Sequence, residues 1–85
     1  MSEKVKIYHV ETQKDYNDLM IELEKDGYVW FSGKKPTDIN EWVGEETVVY
    51  LNYYDNYTIC YGSISTAREV YPDINIIKHK AKGVN

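Results

Sequence analysis

Hydrophobic and polar positions along this chain follow two different periods, and the period changes from segment to segment. Lys4 to Val10 alternates, with Val5 and Ile7 on one side and Lys4 and Lys6 on the other, as a half-buried strand does. From Tyr16 the period lengthens. Tyr16, Leu19, Met20 and Leu23 recur at i, i+3, i+4 and i+7, while Lys14, Asp18, Glu22 and Lys25 stay off that stripe. This is the apolar face of an amphipathic helix. Thr12 is an N-cap residue, Asp15 answers it as a shortened capping box, and Gly27 suits the left-handed turn that ends a helix. The spacing predicts a helix over about 13–25.

Tyr28-Val29-Trp30-Phe31 is aromatic and β-favouring, and reads as a strand that stops at Ser32-Gly33. Residues 34–46 are a long polar connection carrying Pro36 and Gly44, with room for one helical turn over 37–42 capped by Thr37. Trp42 is expected to anchor that segment on the core, because an indole is costly to leave wet. Thr47–Tyr53 and Tyr57–Tyr61 read as a β-hairpin, with Asp55-Asn56 as a two-residue turn. In that register opposing positions sum to 111. One face then holds Val49, Leu51, Tyr53, Thr58 and Cys60, and the other holds Val48, Tyr50, Asn52, Tyr54, Tyr57, Ile59 and Tyr61. A turn one residue longer mixes the two sets. Ser65 and Thr66 cap a short helix to about Tyr71, with Glu69 closing a Thr-x-x-Glu box before Pro72. Ile74–Lys80 is a last strand and 81–85 a loose tail.

These elements define a single α+β domain over residues 1–85: a two-layer fold with a largely antiparallel sheet of about four or five strands, one main helix on one face, and a short second helix at about 66–71. Eighty-five residues provide one modest core and exclude a doubly wound dinucleotide fold or a (β/α)₈ barrel. No apolar run is long enough for a membrane span, and Met1–Lys6 has no signal-peptide core, so a cytoplasmic protein is expected. Cys60 is the single cysteine and forms no internal disulfide.

Charge is unevenly distributed. Residues 36–75 carry seven acids (Asp38, Glu41, Glu45, Glu46, Asp55, Glu69 and Asp73) against Arg68 alone, a net −6, while the end of the chain carries Lys78, Lys80 and Lys82. Duplex binding is not expected of that acidic middle, since phosphate contacts need cations. Candidate chemistry is sparse. His9 and His79 have no cysteine or second histidine at ligand spacing, so no metal is expected, nor is any other cofactor. Cys60 lacks a neighbouring cation to activate it. Ser32, Ser63 and Ser65 sit in no nucleophile pattern, and Gly62-Ser63-Ile64-Ser65 lacks the spacing of a phosphate loop. The chain reads as a non-enzyme.

Tyrosine is the unusual feature: nine in the chain, with Tyr50, Tyr53, Tyr54, Tyr57 and Tyr61 inside twelve positions. Aromatic residues favour strands and stabilise them through cross-strand pairs, which alone accounts for such a cluster. Tyrosine is also enriched in the buried centres of interfaces. The candidate protein-binding residues are Tyr50, Tyr54, Tyr57, Tyr61 and Asp55, with Glu41, Glu45 and Glu46 as acidic companions. The alternatives are a nucleotide or small-molecule binder that stacks rings on a base, with Lys34, Lys35, Lys78, Lys80 and Lys82 for phosphate, and a self-association module forming a homodimer.

Tyr8-His9-Val10-Glu11-Thr12-Gln13-Lys14-Asp15-Tyr16, then Leu19-Met20, Leu23, Gly27-Tyr28-Val29-Trp30 and Ser32-Gly33-Lys34-Lys35-Pro36-Thr37, resemble a type of small prophage protein from low-GC Gram-positive bacteria. The resemblance extends through Trp42, Thr47–Leu51, Ile59-Cys60-Tyr61 and Tyr71-Pro72. It implies a context rather than an activity: small phage proteins that bind and disable host proteins, immune nucleases among them. The expectation is therefore an anti-CRISPR-like inhibitor of a host nucleic-acid-processing or defence protein, acting in the host cytoplasm.

Overall fold

A computed structural model describes residues 5–53 and 56–81. Tyr54, Asp55 and residues 82–85 of the expected tail lie outside the described residues. The elements run β1 (Lys6–His9), α1 (Gln13–Lys25), β2 (Val29–Trp30), a 3₁₀ turn (Pro36–Asp38), β3 (Thr47–Leu51), β4 (Thr58–Ser63), α2 (Ile64–Val70) and β5 (Ile76–Lys78).

The helix predicted from the apolar stripe spans the expected residues. Thr12 caps it, its hydroxyl accepting the Asp15 N–H at 3.1 Å. Asp15 does not close a capping box; its carboxylate accepts the Ala81 N–H at 2.8 Å instead. Gly27 follows the helix at φ 90°, a left-handed conformation that a side chain would strain. Tyr16, Leu19, Met20 and Leu23 are all buried, as their spacing requires.

Among the described residues, five strands form one sheet in the order β2-β4-β3-β1-β5. The inner pairs β4–β3 and β3–β1 are antiparallel, whereas the outer pairs β2–β4 and β1–β5 are parallel. The sheet is therefore mixed, antiparallel through its centre and parallel at its two edges. Chain separation explains this: β2 and β5 are not joined to their neighbours by hairpins, so no tight turn forces them to run antiparallel.

β3 is central and all five of its residues are buried. Successive side chains on a strand point to opposite faces, and two apolar clusters result. Val49, Leu51, Ile59 and Trp30 pack with the α1 stripe and with Val10. Val48, Tyr50 and Ile7 pack with Ala67 of α2, against which Ile64, Tyr71 and Ile76 also lie. The second helix thus lies on the face opposite α1, and the expected two layers become a sheet with a long helix on one side and a short one on the other.

α2 begins two residues before the expected start. Ser63 is its cap, accepting the Thr66 N–H at 3.3 Å, and the Thr66-Glu69 box is not the one that forms. The connection after β2 contains a 3₁₀ turn rather than a helical turn capped by Thr37; the Thr37 hydroxyl donates to Glu24 Oε1 at 2.6 Å. Trp42 does anchor the segment, its indole N–H donating to Val10 O at 3.0 Å. Among the described residues no helix is long and apolar enough to cross a membrane.

Candidate functional site

The hairpin register decides where the tyrosines go. Val49 pairs with Tyr61, Tyr50 with Cys60 and Leu51 with Ile59, so opposing positions sum to 110, not 111. The connection is longer than two residues: Asn52 N–H donates to Thr58 O at 2.7 Å, and Asn52 Oδ1 accepts the Tyr57 N–H at 2.8 Å. Asn52 and Tyr57 both adopt positive φ, 61° and 63°. Asparagine tolerates this conformation better than tyrosine does, and its side-chain bond holds the loop end in place.

A shift of one position exchanges every side chain between faces, and the expected tyrosine face does not form. Tyr50 points to the α2 side and is only 6% exposed. Its ring packs against Tyr53 at 5.2 Å and Tyr71 at 6.1 Å, and lies over Gly62. Burial raises the Tyr50 hydroxyl above its ordinary pKa, and the neighbouring Cys60 and Tyr53 add to the shift. Tyr61 points to the opposite side, edge-on to Trp30 at 6.3 Å, and is 45% exposed. Tyr57 sits in the loop against Tyr28 at 5.1 Å. Cys60 leaves the Val49 face for that of Tyr50, where burial pushes its thiol up to about 11.

Of the acidic companions, Glu45 and Glu46 have exposed side chains on a backbone pinned to the sheet: Glu45 O is 2.6 Å from His9 Nε2, and Glu46 O accepts the Ile64 N–H at 2.8 Å. Thr47 Oγ1 shapes the same loop, accepting the Val43 N–H and donating to Gly44 O. Glu41 stands apart, its N–H donating to the Tyr16 hydroxyl at 2.9 Å.

Tyr61, Glu45 and Glu46 do come together. They line a cleft of about 360 Å³ with Val43, at the end of β4. On the other side of β4 lies an aromatic cleft of about 440 Å³, lined by Phe31, Tyr53, Cys60, Val70 and Tyr71, with Tyr50 at its base. Tyr61, Gly62 and Ser63 border both. Phe31 is 62% exposed there, and Val43 and Val70 more than half exposed. Phe31, Val70 and Tyr71 were not among the sequence candidates. Alternation from the buried Trp30 would have turned Phe31 to the far side of the sheet, but nothing local placed α2 beside it.

The histidines do not form a site. β1 and β5 are neighbours, and His79 N–H donates to His9 O at 3.0 Å, yet the rings diverge. His79 Nε2 lies 2.9 Å from Asp18 Oδ2. Among the described residues no group of three or more His, Cys, Asp or Glu side chains is placed to hold a metal ion. Two cations near the end of the chain are engaged: Lys78 and Lys80 pair with Glu11 at 3.3 and 3.1 Å, and Lys80 approaches Asp15 at 3.8 Å. Hydrogen bonds from Lys80 and then Lys78 hold the Glu11 carboxyl below its ordinary pKa, against a smaller opposing effect of desolvation. The Ala81 N–H does the same for Asp15, helped by Thr12 and Lys80.

Fold and surface together define a small α+β domain with a mixed five-stranded sheet, two unequal helices and paired clefts at one sheet edge. No protein-family model matches the chain, and comparison with curated proteins and with solved structures found no significant match.

Proposed function

We propose that this chain is a non-enzymatic binding protein that occupies a host nucleic-acid-processing or anti-phage defence protein. The contact surface is the end of β4 and its two clefts. The observation that carries the reading is the exposure of Phe31, Tyr61, Val43 and Val70 around those clefts, with Glu45 and Glu46 beside them. Apolar side chains grouped at a concave surface mark interaction sites, whereas scattered ones do not. The acidic neighbours, within a segment of net −6, favour a basic partner and speed its approach. The target class comes from the resemblance to small prophage proteins. Tyr50 serves by supporting the aromatic floor rather than by exposing its ring. Of the lysines the nucleotide alternative would use for phosphate, Lys78 and Lys80 are already paired with Glu11.

The test combines Tyr61→Ala, Glu45→Lys and Glu46→Lys in one variant whose fold is verified by circular dichroism. Capture of the host target is expected to disappear. A folded variant that captures the same protein undiminished refutes the assignment. A nucleotide that raises Tm in a thermal-shift screen, or sedimentation of the isolated protein as a dimer, favours one of the alternatives instead.

A further inference from the structure

The sheet ends unevenly beside the proposed surface. β4 is six residues long, but its outer neighbour β2 pairs only with Thr58 and Ile59. Gly33 N–H donates to Trp30 O at 2.7 Å, a tight turn that carries the chain away from β4. Backbone direction along β4 follows from the bonds on either side. Tyr57 O and Ile59 O accept N–H groups from Val29 and Phe31, outward, whereas Thr58 O and Ile64 N–H bond inward, to Asn52 and Glu46. The same alternation turns the N–H and C=O of Tyr61 and the N–H of Ser63 outward, and no described strand lies beside them. The two sides of this edge differ. One has the cleft with Val43, Glu45 and Glu46; the other has the cleft with Phe31, Val70 and Tyr71. Gly62 carries no side chain on the second side, and the nearly buried Tyr50 ring fills that space at the cleft floor.

From this we infer that β4 recognises its partner by strand addition: an extended segment in which basic residues alternate with apolar ones pairs with Tyr61–Ser63. Its cations then fall beside Glu45 and Glu46, and its apolar side chains enter the aromatic cleft. Main-chain bonds supply affinity in this mode and the alternating clefts supply specificity. The inference rests on the proposed binding surface and adds its geometry and the chemistry of the bound segment.

The probe is a capped synthetic peptide of alternating Lys and Val, titrated into the ¹⁵N-labelled full chain. Two further peptides are N-methylated at every second residue, in opposite phases, and a fourth has the same composition in blocks. Amide shifts are expected at Tyr61, Gly62 and Ser63. One methylated phase should bind roughly tenfold more weakly than the other, because only one phase removes the bonding N–H groups. The block peptide should also bind more weakly, as should the alternating peptide to Glu45→Lys/Glu46→Lys. Equal affinity for the two methylated phases, equal binding of the block peptide, or no shifts at about 1 mM peptide overturns strand addition. If strand addition fails while the Tyr61/Glu45/Glu46 variant still loses its host target, the surface stands and only its mode of recognition falls.

Discussion

Gly62→Ala tests the most specific packing relation in the fold. Gly62 lies mid-strand with no positive φ, so backbone preference alone favours alanine there by roughly 0.5–1 kcal/mol. The Tyr50 ring opposes it. A Cβ on residue 62 would stand 2.7 Å from Tyr50 Cε2 and 3.3 Å from Cζ, closer than carbon atoms pack. The ring has little room to withdraw, being nearly buried and packed against Tyr53 and Tyr71. Overpacking of this kind costs about 1–3 kcal/mol. After the backbone gain is subtracted, a net loss of up to about 2.5 kcal/mol remains, centred on about 1 kcal/mol, or roughly 4–8 °C in Tm at that centre for a domain of this size. The nearest atom belongs to the ring and not to the hydroxyl, so Tyr50→Phe should leave the penalty in place. Tyr50→Val removes the ring, and in that background Gly62→Ala is expected to stabilise by roughly 0.5–1 kcal/mol. Urea unfolding of the four members of each double-mutant cycle measures the coupling. If Gly62→Ala raises Tm in the native background, or costs the same with and without the ring, the assigned register and the packing of Tyr50 are wrong.

Other expectations follow from single contacts. Tyr16→Phe removes a hydroxyl that donates to Ile39 O and accepts from Glu41 N–H, each at 2.9 Å; about 1–3 kcal/mol should be lost in urea unfolding, with faster amide exchange at Glu41. The Asp15 pKa is lowered in the folded state, chiefly by the Ala81 N–H, so its stabilising effect is full above the unfolded value of about 3.9 and is lost as pH falls through the folded value. Native-state NMR should therefore show Ala81 detaching only on acidification below about pH 4, with Asp15→Asn weakening that dependence; release near neutral pH would contradict this. The Cys60 thiol, pushed up to about 11 by burial, should react with a disulfide reagent at pH 8 far more slowly than in urea. A rate as fast as that of the unfolded chain would refute the burial argument.

How much was legible in the sequence depended on how far apart the deciding groups lie. The α1 boundaries, the Thr12 cap, the strand character of Thr47–Leu51 and the anchoring of Trp42 all rest on spacing within a few residues or on the cost of a wet indole, and the structure agrees with each. The Ser63 cap was missed because Ser63, Ser65 and Thr66 compete within four positions, and the choice follows from where β4 ends. The candidate site was legible only in part: Tyr61, Glu45 and Glu46 meet at one cleft, Tyr50 lies beneath the other, and Glu41 is held on Tyr16.

By itself the sequence determined the α+β composition, the main helix and which strands carry the core, because periodicity and capping are local properties of the chain. Tertiary structure alone decided the hairpin register, the parallel edges, the position of α2 opposite α1 and therefore which aromatic rings meet solvent. The physical reason is parity. One additional residue in the turn costs little free energy locally, yet it exchanges every side chain of the strand between faces, and only packing against both helices selects between the two registers.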